Sequence, residues 1–332
     1  MAASPTPRVR LRDPFALLIL GTAALALALP PSVQLAHALK PMTSVGVGVV
    51  FLLHGARLSP ADVRRGLGSW RVQLGVLALS FAVAPLLGLI LAPMFELALG
   101  APLAAGFVFT SALPSTVQSS VAFVALARGH VAAAVTAAAV SNLVGVLASP
   151  LLLALLMGPS PGADPSGGML DAVKGVAAMV LAPFLIGQLV GPLVRPTLIR
   201  HAAAAGWIDR LVIAALVYQS VGQSVASGVG DSLGLGPLVA TAFGAGLFFS
   251  LLAGMGALIG RILRLSREDA IVLGVCGGMK SMATGLPMLR VLHGDSPAAG
   301  LLAVPLILYH QVQLVLLSLW SSAAARRHDA QP

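Results

Sequence analysis

Residues 276–287 read Cys276-Gly277-Gly278-Met279-Lys280-Ser281-Met282-Ala283-Thr284-Gly285-Leu286-Pro287. They lie inside an apolar run, 269–291, long enough to cross a bilayer. Glycines loosen a helix, and proline deletes one of its hydrogen bonds and clashes with the preceding turn. A lysine at mid-membrane is expensive, so it must face a cavity or a partner. The segment therefore reads as a broken transmembrane helix holding a cation. A second segment has the same character. Residues 110–120 read Thr110-Ser111-Ala112-Leu113-Pro114-Ser115-Thr116-Val117-Gln118-Ser119-Ser120, with hydroxyl and amide side chains crowded around Pro114.

The rest of the chain explains why these breaks sit in a membrane. Of 332 residues, 58% are hydrophobic and only 9% charged, against about 25% charged in soluble domains. So few charges cannot cover a globule in water, and lipid is the expected solvent. A single cysteine, Cys276, excludes an intrachain disulfide and a Cys-based metal site; no cofactor or metal is expected. Ten stretches can each span the hydrocarbon: 15–31, 39–55, 71–94, 101–126, 131–157, 169–193, 207–228, 235–261, 269–291 and 298–322. The longest polar break, 158–168, is rich in proline and divides them five and five.

The basic residues test that count, because cytoplasmic loops hold the Lys and Arg excess. With the N-terminus inside, sixteen of the twenty Lys and Arg residues fall on cytoplasmic segments. Three fall outside, and Lys280 stays within a span. The net charge of +9 thus reads as membrane topology rather than as a nucleic-acid surface, and no nucleic-acid partner is expected. The expectation is an all-α integral membrane protein of the plasma (cytoplasmic) membrane with both termini cytoplasmic. Its domains are a cytoplasmic N-terminus at 1–14, a first five-helix repeat at 15–157, an extracytoplasmic linker at 158–168, a second repeat at 169–322 and a cytoplasmic C-terminus at 323–332.

Five spans per half is odd, so the second half enters the membrane inverted. Inverted repeats with broken helices are a transporter design, with the substrate near the midplane at the breaks. The two broken segments are the fourth span of each half, and helices four and nine are expected to cross. The expected helix-breaking residues are Pro114, Gly277, Gly278, Gly285 and Pro287. The expected substrate and ion contacts are Lys280, Ser281, Met279, Cys276, Ser115, Thr116, Gln118, Ser119, Ser120, Ser80, Asn142, His310 and Gln311. No carboxylate is expected within a span to neutralise Lys280. Freed carbonyls, water and the C-terminal ends of half-helices are its expected stabilisers. Three roles stay open for it: a proton carrier, a charge that attracts an anion, or an ammonium that pins the two broken helices.

Several stretches together resemble one known family. They are Phe51-Leu52-Leu53-His54-Gly55-Ala56-Arg57-Leu58, Pro114 through Ser120, Ala127-Arg128-Gly129-His130, Val304-Pro305 and Tyr309-His310. In this order, on ten spans, they resemble the bile acid:sodium symporter family (solute carrier family 10). The stretch Lys280-Ser281 followed by Gly285-Leu286-Pro287-Met288-Leu289 resembles its member-7-like subgroup most. The resemblance implies a secondary transporter that moves a small organic anion by alternating access. It also implies that helix nine of sodium-coupled members supplies a glutamate and a glutamine as ion ligands. Those positions are Cys276 and Lys280 here. The other sodium-ligand positions fall at Ser119, Ser120, Ala134, Ala138 and Ser80. The anionic ligand is gone and an ammonium has arrived, so Lys280 is expected to occupy the space of a lost sodium ion. Coupling would then be to protons or absent.

The expected partners are the bilayer, an anionic small molecule and a coupling ion, either proton or sodium, with the chain a monomer or homodimer. No nucleophile–base pair or metal motif marks an intramembrane enzyme. The resemblance leaves one alternative, a non-transporting regulator of ion (calcium) homeostasis.

Overall fold

The computed structural model describes residues 14–57, 69–158, 181–226, 234–293 and 298–329. Among these residues the structure is entirely helical. Its helices are α1 (Pro14–Ala28), α2 (Val33–Arg57), α3 (Trp70–Leu99), α4 (Ala101–Ser111), α5 (Gln118–Leu126), α6 (Val131–Met157), α7 (Ala182–Arg200), α8 (Ala202–Ala226), α9 (Leu235–Ile262), α10 (Arg267–Gly278), α11 (Met282–His293) and α12 (Ala298–Asp329). Eight helical runs are long and apolar enough to cross a membrane, with α10 and α11 counted as one run, Arg267–His293. Two shorter apolar helices, over Leu17–Ala28 and Ala101–Ser111, fall in the expected first and fourth spans. All of the expected linker at 158–168 except Gly158, the start of the sixth span at 169–180 and the extreme termini lie outside the described residues. The chain is an integral, multi-pass helical membrane protein.

Local chemistry sets the boundaries. Gly100 turns α3 into α4 at φ 86°, a conformation open to glycine and costly for other residues. Ser266 caps α10 by accepting from the Asp269 N–H at 3.2 Å, and Glu268 and Asp269 place negative charge on its first turn. Ser281 does the same for α11, accepting from the Thr284 N–H at 3.2 Å. Midway along α3, Leu79–Val83 forms a π-helical turn. Such turns are rare and cluster at functional sites.

The breaks lie close to where the sequence put them, with one correction. Residues 112–117 separate α4 from α5, and residues 279–281 separate α10 from α11. Pro114 sits in the first gap, and Gly277 and Gly278 close α10 just before the second. Gly285 and Pro287, expected to break the helix, lie inside α11. Pro287 falls in the second turn, so the i−4 carbonyl its ring crowds belongs to Ala283 in the first turn. A Cβ on Gly285 would collide with the Leu113 side chain and come within 2.7 Å of Leu306, so that glycine serves packing.

Two apolar clusters flank the breaks. One joins α3, α9 and α10 through Leu79, Phe248 and Val272. The other joins α1, α2, α8 and α11 through Ile19, Phe51, Leu216 and Met288. Residues of α4, α6 and α12 contribute to both. α2 and α7 pack backbone to backbone, because Gly55 faces the Phe184 carbonyl and Gly187 faces the Leu52 carbonyl. Any Cβ at either glycine would overlap that oxygen.

Candidate functional site

The two breaks meet. The Ser281 N–H, in the gap before α11, donates to the Pro114 carbonyl in the gap before α5 at 2.9 Å. Each gap thus satisfies a backbone group that the other's missing helical turn has freed, as groups in hydrocarbon require. α6 holds the first gap in place. Ser141 Oγ accepts from the Ser115 N–H at 3.1 Å, and Asn142 Nδ2 donates to the Ser115 carbonyl at 2.8 Å. Asn142 Oδ1 accepts from Thr284 Oγ1 at 3.2 Å, which ties α6 to α11. α12 holds the second gap: Gln313 Oε1 accepts from the Lys280 N–H at 2.9 Å and its Nε2 donates to the Lys280 carbonyl at 3.0 Å. Gln313 therefore replaces the ladder that Lys280 lacks. Tyr309 closes the end of α10 by donating to the Gly278 carbonyl at 2.7 Å.

The Lys280 side chain is fully buried. Its Nζ donates to three backbone carbonyls, Ser80 at 2.9 Å, Ser111 at 2.8 Å and Leu113 at 2.9 Å. Ser80 lies in the π-helical turn of α3. The Ser111 carbonyl is among those left over at the C-terminal end of α4, the negative pole of that helix, and the Leu113 carbonyl lies in the gap just beyond it. An ammonium has three protons to donate, and all three are used. Lys280 is therefore spent on the scaffold and does not line the cavity described next.

That cavity, of about 320 Å³, lies on the other side of the crossing. Its wall includes the first residues of both second half-helices: Gln118 and Ser119 of α5, and Met282 and Ala283 of α11, with Thr116 and Ser281 just before them. The first N–H groups of a helix have no intrahelical partner, and its N-terminus carries partial positive charge. Two such poles converge on one space. Arg57 and Arg210 add positive side chains, and the rings of His54 and His310 line the same wall. Arg57 Nη1 donates to Asp209 Oδ2 at 2.5 Å. The Arg210 guanidinium lies 5.2 Å from the centre of the Trp207 ring, within cation–π range. Asp209 is a correction to the expectation that no carboxylate falls within a span. It lies near the start of α8 and lines the cavity, held there by Arg57.

The expected site residues divide accordingly. Thr116, Gln118, Ser119, Asn142, Ser281 and His310 line the cavity. Ser80 and Ser115 are buried and contribute backbone groups to the crossing. Ser120 is turned back onto the carbonyls of Thr116 and Val117. Met279 packs against Thr116, which donates to its sulfur at 3.5 Å. Cys276 points at the Ala134 carbonyl, 3.9 Å away, outside the cavity. Gln311 does not line it either. Sequence reading missed Gln313, Thr284, Arg210, Asp209, Arg57 and His54. For Gln313 the signal was present. It lies three residues after His310 and four after Tyr309, on the same helix face, whereas Gln311 is rotated away from them. His310 Nδ1 indeed lies 2.9 Å from Gln313 Nε2.

Comparison with known proteins bears on this geometry. A family model described as the SBF-like CPA transporter family matches residues 13–326. An uncharacterized protein of Pseudomonas aeruginosa is 37% identical over 319 residues, covering 96% of this chain and 95% of that one. YfeH of Escherichia coli, whose name carries the word symporter, is 31% identical over 322 residues, covering 97% and 94%. Sodium/bile acid cotransporter 7 of Danio rerio is 24% identical over 281 residues, covering 83% and 81%. The Escherichia coli and Danio rerio relatives carry transporter names rather than enzyme names, as the resemblance to bile acid:sodium symporters implies. The chain belongs to the SBF-like CPA transporter family and is a membrane transporter of small molecules.

Proposed function

We propose that the protein moves a small organic anion across the plasma membrane by alternating access. In this reading the crossing of helices is the fixed point, and Lys280 stands where a coupling cation would sit. The observation that carries the anion is the convergence of two helix N-termini on one cavity, beside Arg57 and Arg210. Backbone N–H groups and a positive helix pole favour a carboxylate without any dedicated side chain. The observation that carries the built-in cation is the set of three carbonyls on the Lys280 ammonium. Carbonyl oxygens are also what a hard monovalent ion takes as ligands, and a resident +1 charge repels a second one. Sodium coupling is thereby disfavoured, and transport runs on protons or down the anion's own gradient.

The same reading keeps ten spans in two inverted repeats, with both termini cytoplasmic. It is supported by the eight long apolar runs, the two shorter ones and the matched position of the two breaks. A binding experiment tests the site. Short mono- and dicarboxylates are titrated against the purified protein with thermal unfolding as readout, and Arg210→Gln serves as the cavity variant. A carboxylate that stabilises the wild type and not Arg210→Gln supports the reading. Stabilisation by neutral analogues equal to that of the acids sinks it.

A further inference from the structure

A second and larger space lies away from the crossing. A groove of about 800 Å³ runs between α9, α10 and α12. Its floor is Phe249, Val275 and Leu317, and small residues keep it open. Gly274 faces open space, since a Cβ there would meet nothing within 4 Å. At one end stand Arg261, Arg267 and Trp320. Arg267 Nη2 donates to the Ala324 carbonyl at 3.2 Å, which fixes its guanidinium at the mouth. Arg264 belongs to the same turn and Arg326 lies two residues beyond Ala324. The acids at this end, Glu268 and Asp269, do not line the groove, and Asp269 is engaged by His130 at 3.0 Å.

The helix faces beside the groove carry Leu258, Ile262 and Leu319, all more than half exposed, as expected of surface that meets acyl chains. An apolar groove ending in arginines and a tryptophan has the chemistry of a membrane interface. There the aromatic sits at headgroup level and basic side chains face anionic headgroups. The charge balance assigned this turn to the cytoplasmic side, where the leaflet is negative.

We propose that this groove binds an anionic phospholipid, its phosphate between Arg261 and Arg267 and an acyl chain along Phe249, Gly274 and Trp320. The inference is independent of what the crossing transports.

The test uses the full chain purified in detergent. Melting is followed with added phosphatidylglycerol, with phosphatidylcholine of the same chains, and with sn-glycerol 3-phosphate. The variants are Ala257→Trp, which fills the groove, and Arg261→Gln, which removes a charge and leaves the packing intact. Phosphatidylglycerol should raise the wild-type melting temperature several degrees beyond phosphatidylcholine. That difference should vanish in both variants, and glycerol phosphate should do nothing. Equal shifts from both lipids overturn the proposal, as does an advantage that persists in the variants or a shift reproduced by glycerol phosphate. If Ala257→Trp does not fold, Arg261→Gln decides by the same readout. A wild-type dimer in light scattering that Ala257→Trp converts to a monomer assigns the groove to a second copy and equally overturns it.

Discussion

Truncating Lys280 to alanine should turn a sodium-indifferent protein into a sodium-stabilised one. The wild-type ammonium donates to the carbonyls of Ser80, Ser111 and Leu113 at 2.8 to 2.9 Å. Lys280→Ala removes the donor and leaves three buried acceptors facing a gap the size of the lost side chain. Each orphaned acceptor costs about 1–3 kcal/mol, so the unfilled variant should lose about 3–9 kcal/mol on that rule. Relief from burying a charge offsets part of this. Sodium is small, needs no donor and takes carbonyl oxygens. Present at a hundredfold excess over its Kd, it returns about 2.7 kcal/mol, or roughly 5–10 °C of melting temperature at 2–4 °C per kcal/mol. The assay is thermal unfolding in detergent, in sodium chloride against choline chloride at equal ionic strength. The wild type should melt at one temperature in both salts. Lys280→Ala should melt lower in choline and recover several degrees in sodium. A wild type stabilised by sodium, or a variant blind to it, refutes the idea that the ammonium stands in for an ion.

Other substitutions probe the scaffold around it. Gln313→Leu leaves the Lys280 N–H and carbonyl unpaired and should cost about 2–4 kcal/mol, seen as a lower melting temperature with expression retained. Gly55→Val should be among the most damaging single changes, since its Cβ would overlap the Phe184 carbonyl. Gly48→Ala on the same helix meets nothing within 4 Å and should lie within about 0.5 kcal/mol of wild type; comparative melting separates the two. A double-mutant cycle on Arg57→Ala and Asp209→Ala should return a coupling of about 0.5–3 kcal/mol, with Arg57→Ala weakening any carboxylate bound in the cavity.

How much of this was legible in the sequence follows from how local each signal is. Pro114, Gly277 and Gly278 announce a broken helix through their own backbone chemistry, and the breaks fall beside them. Pro287 carries the same signal, yet α11 begins five residues before it and runs through it to His293. Lys280 was conspicuous as a charge in an apolar run. Its partners were not, because they are main-chain carbonyls, one of them presented by the π-helical turn of α3. The choice between pinning helices and meeting substrate therefore needed the fold. Asp209 and Arg210 read as interfacial charges at the start of a span. Only the packing of α2 against α8 brings Arg57 to Asp209 and lines the cavity with both. Gln313 could have been found by helical spacing from Tyr309 and His310, and was passed over for its neighbour.

Uptake into proteoliposomes tests whether the protein carries small organic anions with a coupling cation that is covalently its own. Labelled short carboxylates are offered outside, with sodium or choline as the external cation and with or without an inward proton gradient. Uptake of at least one carboxylate should be unchanged when choline replaces sodium and lost in Arg210→Gln. Carboxylate uptake by the wild type that requires sodium would contradict it.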